Sequence, residues 1–196
     1  MTSEPNLLPS HRLMREGKLF SWIAGLCLFV TLLVDLLEVG ALALRSDRAG
    51  LMQGSFAFDV NLSWLGMVDA PDLAFVPISH YTLGQSLLCA ALLTLRLLPG
   101  LMILWNLMRL FGMYGQGEVF TTRNTRYVRT IGWALMAYAA VPLLTHATLF
   151  AVHLSPVAIR LEVRQLDALV AGLILLAMAR VVSFGCAIDE DRQGFV

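Results

Sequence analysis

The chain has 196 residues, of which 58% are hydrophobic and only 14% charged, and its fourteen basic side chains balance its fourteen acidic ones. With a mean hydropathy of +0.72, it is neither a disordered chain nor an ordinary soluble domain, which carries roughly 25% charged residues. The lack of a basic excess argues against direct nucleic-acid binding, and the length suits a single membrane domain, residues 1–196.

Four apolar runs are long enough to cross a hydrocarbon core of roughly 30 Å, which takes about 20 helical residues. They cover residues 19–44, 83–111, 131–154 and 166–188. In lipid a backbone must satisfy its own polar groups, and runs of Leu, Ala and Met do so as helices. The first run has a basic lead (Arg12, Arg15, Lys18) and an A-x-A-like Ala41-Leu42-Ala43. It is nevertheless longer than a signal-peptide core and carries Asp35 and Glu38 before the supposed cut, so it is expected to stay as a span.

Lys and Arg set the orientation. Arg12, Arg15 and Lys18 precede the first span, and Arg109, Arg123, Arg126 and Arg129 surround the connection between the second and third. The other two connections hold Arg45, Arg48, Arg160 and Arg164. The balance places both termini in the cytoplasm.

In the first outer loop, Phe56, Phe58, Val60, Leu62 and Trp64 alternate with smaller or polar residues. In the last, Val157, Ile159, Leu161 and Val163 alternate with Ala158, Arg160, Glu162 and Arg164. Period two marks a half-buried strand, and a lone strand leaves its backbone unpaired. The expected fold is therefore an all-α membrane protein, a four-helix transmembrane bundle, with a small extracytoplasmic β-sheet from residues 55–64 and 156–164. Two amphipathic loops at the headgroup layer are the alternative.

In the inner loop Gly112, Gly115 and Gly117 break the second helix, and Thr121 or Thr122 offers a hydroxyl cap for the next. Arg123, Arg126 and Thr130 then share a helical face that meets anionic lipid heads.

Ionisable residues inside spans are costly and are the first place to look for function. Asp35, Glu38, Arg96 and His146 qualify. Asp35 and His146 both lie about 10 Å below the outer helix ends, and Arg96 is a few ångströms deeper. One polar cluster is expected, with Arg96 paired to Asp35 or Glu38. It would either lock helix register or relay protons.

His80, His153 and Asp167 near the outer surface are candidates for a shallow metal or proton-sensitive site, or are three separate interfacial residues. His146 and His153 sit too far apart along one helix to ligate a single haem. Cys27, Cys89 and Cys186 show no metal spacing. No cofactor is implied, and no G-x-S-x-G or H-E-x-x-H motif suggests an enzyme.

The inner run Gly117-Glu118-Val119-Phe120-Thr121-Thr122-Arg123-Asn124, continued by Val128-Arg129-Thr130-Ile131-Gly132-Trp133, resembles the signature of a bacterial membrane family catalogued as domain of unknown function 2975. Its pattern is G-x-x-F-T-x-x-N-x-x-x-L-R-x-I-G-W, with Gly117, Phe120, Thr121, Asn124, Arg129, Gly132 and Trp133 as the matching residues. Val128 stands where the family usually has Leu. Leu173 to Arg180 and the tail with Asp189, Glu190, Asp191 and Gly194 are also similar to that family, although Phe195 replaces a small polar residue common there.

The resemblance implies a four-span protein of the bacterial cytoplasmic membrane without an established activity. It also implies a small helix-turn-helix regulator as a cytoplasmic partner. Residue by residue, a structural role competes with this: Phe120 as interface anchor, Thr121 or Thr122 as cap, Asn124 as a hydrogen bond to a helix end. The leading expectation is a non-enzymatic membrane regulator or sensor. A small transporter or proton-coupled component using Asp35, Glu38, Arg96 and His146 is the alternative. The oligomeric state is not readable from the sequence.

Overall fold

A computed structural model describes residues 11–45, 81–118, 121–154 and 163–193. Four helices account for nearly all of them: α1 (His11–Ala43), α2 (Leu83–Tyr114), α3 (Thr122–Ala151) and α4 (Val163–Gln193). With 30 to 33 residues each, they are about 45–50 Å long. That exceeds the roughly 30 Å of hydrocarbon, so each helix continues into the interfacial layers. All four are long and apolar enough to cross a membrane.

Local signals fix the helix ends. Thr82 and Gln85 form a capping box at the start of α2: the Thr82 side chain accepts from the Gln85 amide at 3.3 Å, and Gln85 Oε1 accepts from the Thr82 amide at 2.9 Å. At the far end of α1, Arg45 takes φ 55°, and after α3 His153 takes φ 58°. Pro99 and Pro142 lie inside α2 and α3 without ending them, a placement that membrane helices tolerate.

The helices pack in chain order, α1 on α2, α2 on α3 and α3 on α4, and only these consecutive pairs pack substantially. The bundle is thus an open row with α1 and α4 at its edges. A core of Leu42, Tyr81, Cys89, Ala90, Leu92 and Leu149 ties α1, α2 and α3 together at the end opposite the α2–α3 turn. Ser86 of α2 donates a hydrogen bond to the Leu42 carbonyl there. The edge helices leave large apolar side chains outside: Trp22 of α1 is 80% exposed and Val181 of α4 72%. Water would penalise such faces and lipid does not. The chain is an integral, multi-pass membrane protein.

The expected β-sheet is not found among the described residues, which hold no strand. Val163, expected near the end of the second strand, is instead the first residue of α4. The alternation of Val157, Ile159, Leu161 and Val163 therefore gives way to a helical segment whose apolar face, Leu166, Val170, Leu173 and Ile174, has helical spacing. Residues 55–64 and 156–162 lie outside the described residues.

Candidate functional site

The α2–α3 turn is the most closely specified part of the protein. The Gly115 amide donates to the Phe111 carbonyl at 2.9 Å, and the Glu118 amide reaches back to the Met113 carbonyl at 3.1 Å. Gly117 between them has φ 86°, a conformation side chains rarely adopt. Thr121, not Thr122, caps α3: its side chain accepts from the Asn124 amide at 3.3 Å. Asn124, only 4% exposed, then donates through Nδ2 to the Glu118 carbonyl at 2.7 Å. Asn124 thereby staples the turn to the first turn of α3. Phe120 lies outside the described residues.

The start of α1 braces this turn, which the sequence did not reveal. A Cβ on Gly115 would stand 2.8 Å from Lys18 Cγ, and one on Gly17 only 2.5 Å from the Gly115 amide nitrogen. The two backbones touch, so glycine is needed on both sides. Ser21 donates to the Met108 carbonyl at 3.0 Å one helical turn further on, and the Phe20 and Phe111 rings lie 5.4 Å apart.

Gly132 is packed against a neighbouring helix, while Trp133 beside it is not. A Cβ on Gly132 would meet Leu176 Cγ at 2.8 Å, and one on Gly172 would meet the Gly132 carbonyl at 3.0 Å. Gly132 thus admits α4 against α3, whereas Trp133 is 61% exposed. Arg123, Arg126 and Arg129 are all exposed. On α2 nearby, the Arg109 guanidinium lies over the Trp105 ring, 4.9 Å from its centroid.

Within the spans, Asp35, Glu38 and Arg96 are half-buried and His146 is buried. The Ser86–Leu42 and Ser21–Met108 hydrogen bonds set the antiparallel register of α1 and α2, and it puts Asp35 level with Leu93 and Thr94, so that Arg96 lies about 4 Å further along the axis. Asp35 Oδ2 has no hydrogen-bond partner.

At the end opposite the turn, His153 and Asp167 are both exposed, and His80 lies outside the described residues. Among the described residues no three His, Cys, Asp or Glu side chains gather as a metal site would need.

Residues 61–193, about two thirds of the chain, match the model of a family described as "Protein of unknown function (DUF2975)". The chain belongs to that family. No curated protein and no solved structure matches it. The DUF2975 match takes in α2, α3, α4 and the whole α2–α3 turn, so the glycine, cap and staple lie within it, while α1 precedes it.

Proposed function

We propose that this DUF2975 protein is a non-enzymatic regulator or sensor of the bacterial cytoplasmic membrane. Both termini face the cytoplasm, and the α2–α3 turn holds a cytoplasmic protein, a small helix-turn-helix regulator. The observation that carries this reading is the build of the turn. Gly117, the Thr121 cap and the Asn124–Glu118 hydrogen bond fix its shape, and Arg126 and Arg129 remain exposed beside it. Rigid backbone presenting exposed charge is suited to recognition.

Two experiments test it. External labelling of single introduced cysteines should tag position 61 and spare position 116; the reverse pattern would invert the orientation. A photo-crosslinker at position 126 in whole cells should capture one discrete protein, and R126E/R129E should lose it at equal membrane abundance. Capture of lipid alone, or an unchanged product in R126E/R129E, would end the partner-holding reading.

A second reading, a small transporter or proton-coupled component, draws on Asp35, whose Oδ2 lacks a hydrogen-bond partner in the span. Reconstituted vesicles should then show ion or solute flux that disappears in E38Q, and vesicles without flux would dismiss it.

A further inference from the structure

Two cavities of opposite chemistry meet at Trp22 of α1. The first, about 700 Å³, is a groove lined by Ser21, Trp22, Gly25, Leu26 and Phe29 of α1 and by Met108 of α2. Gly25 leaves this space open, since a Cβ there would stand 3.3 Å from Met108 Sδ. The Ser21 hydroxyl is spent on the Met108 carbonyl, which leaves Leu26, Phe29 and the Trp22 ring to receive an apolar chain. The second cavity, about 470 Å³, is lined by Arg15, Glu16, Lys18, Leu19 and again Trp22. Its three charged residues are exposed, and Arg15 and Lys18 are neighbours on one helical face.

Level and charge together select the occupant. Lys18 lies against the Gly115 backbone at the end of α2, where the helices outrun the hydrocarbon. Phe29 is eleven residues, about 16 Å, deeper along α1. That is half of a hydrocarbon core of roughly 30 Å, so the paired cavities run the depth of one leaflet. Two cations and one carboxylate match a headgroup that carries both a phosphate and an ammonium. Phosphate oxygens accept from the Arg15 fork and the Lys18 ammonium, and the headgroup ammonium donates to the Glu16 carboxylate. An apolar helix of a second copy would fill the groove and match neither sign of charge beside it.

We propose that these cavities hold one phosphatidylethanolamine molecule, with an acyl chain along Leu26 and Phe29 and its headgroup among Arg15, Glu16 and Lys18. The site uses neither Arg126 nor Arg129 and stands whether or not the turn holds a protein partner.

The test is native mass spectrometry of the full chain released from nanodiscs of equimolar phosphatidylethanolamine, phosphatidylglycerol and phosphatidylcholine with identical acyl chains. The wild type should retain phosphatidylethanolamine in preference to both others. Phosphatidylglycerol brings no ammonium, and the choline group has no N–H to donate. R15Q/K18Q should retain about tenfold less phospholipid, and R126Q/R129Q as much as wild type. E16Q should keep a bound phospholipid but lose the preference for phosphatidylethanolamine over phosphatidylglycerol. Glycerophosphoethanolamine, the same headgroup without acyl chains, should fail to displace the lipid at millimolar concentration. Retention without preference, a preference unmoved in E16Q, or equal retention by wild type and R15Q/K18Q would overturn the site, as would an equal loss in R126Q/R129Q. Displacement by the chainless headgroup would remove the groove from it, and a dimer in place of bound lipid would give the groove to a second copy. Should R15Q/K18Q not purify as a folded protein, R15Q alone replaces it, because Arg15 is exposed and it is Lys18 that lies against Gly115.

Discussion

Replacing Gly17 by Ala probes the brace between α1 and the α2–α3 turn. The added Cβ would stand 2.5 Å from the Gly115 nitrogen and 2.8 Å from the Tyr114 carbonyl carbon. Ordinary contact is roughly 3.5 Å, so α1 must withdraw by about 1 Å. The obstructing atoms are backbone, and no side chain can turn aside. The withdrawal also stretches the 3.0 Å Ser21–Met108 hydrogen bond and loosens the Phe20–Phe111 pair.

Overpacking costs about 1–3 kcal/mol, and the weakened hydrogen bond about 1 kcal/mol. The better helix propensity of Ala offsets about 1 kcal/mol. The net expectation is a loss of about 2 kcal/mol, some 30-fold in the folding equilibrium. Gly40 is the control, since it lies in the same helix with nothing within 4 Å of its would-be Cβ. G40A should be neutral or more stable by up to about 1 kcal/mol. Unfolding in mixed micelles of rising dodecyl sulfate fraction, followed by circular dichroism, reads the difference. If G17A unfolds at the same fraction as G40A, the backbone of α1 does not rest on the turn at Gly17.

Three further outcomes are expected. N124A removes the 2.7 Å bond to the Glu118 carbonyl, costing about 1–3 kcal/mol, and should speed proteolysis within residues 115–121; an unchanged cleavage rate would refute the staple. T121A should destabilise the start of α3 by about 1 kcal/mol and T122A by a few tenths at most. Faster amide exchange at Asn124 in T121A alone is the signature, and equal exchange in both variants would contradict the cap. Burial, with a contribution from nearby Cys89, holds the Tyr81 phenol above its ordinary value of 10.0. Folding disfavours the phenolate, so this contribution to stability is complete below that value and declines as pH rises through it toward the native pKa. Y81F should abolish the decline, and a wild-type curve that stays flat above pH 10.0 would exclude it.

The four spans were legible because an apolar run of about 20 residues matches the thickness of hydrocarbon and exceeds what the core of a small soluble domain requires. The helix ends were less so. α1 begins at His11 and α3 at Thr122, ahead of the apolar runs at 19 and 131, because hydropathy senses hydrocarbon whereas the backbone helix continues through polar residues. The motif at the turn was visible from Gly117, Thr121 and Asn124, but choosing between Thr121 and Thr122 required the hydrogen bond itself. Gly17 sits between Glu16 and Lys18 in a charged stretch, and nothing local shows that another backbone rests on it. The strand reading at 156–164 failed for a related reason. Alternation over a few residues is a weak signal, and Val163 joined the helix that follows.

The open row of helices also bears on how the protein is made. Each helix after the first packs against the one synthesised just before it, so packing can advance with translation, hairpin first and later helices in turn. Deleting α4 should consequently spare the union of α1 with α2, whereas losing α2 would strip α1 of its only substantial neighbour.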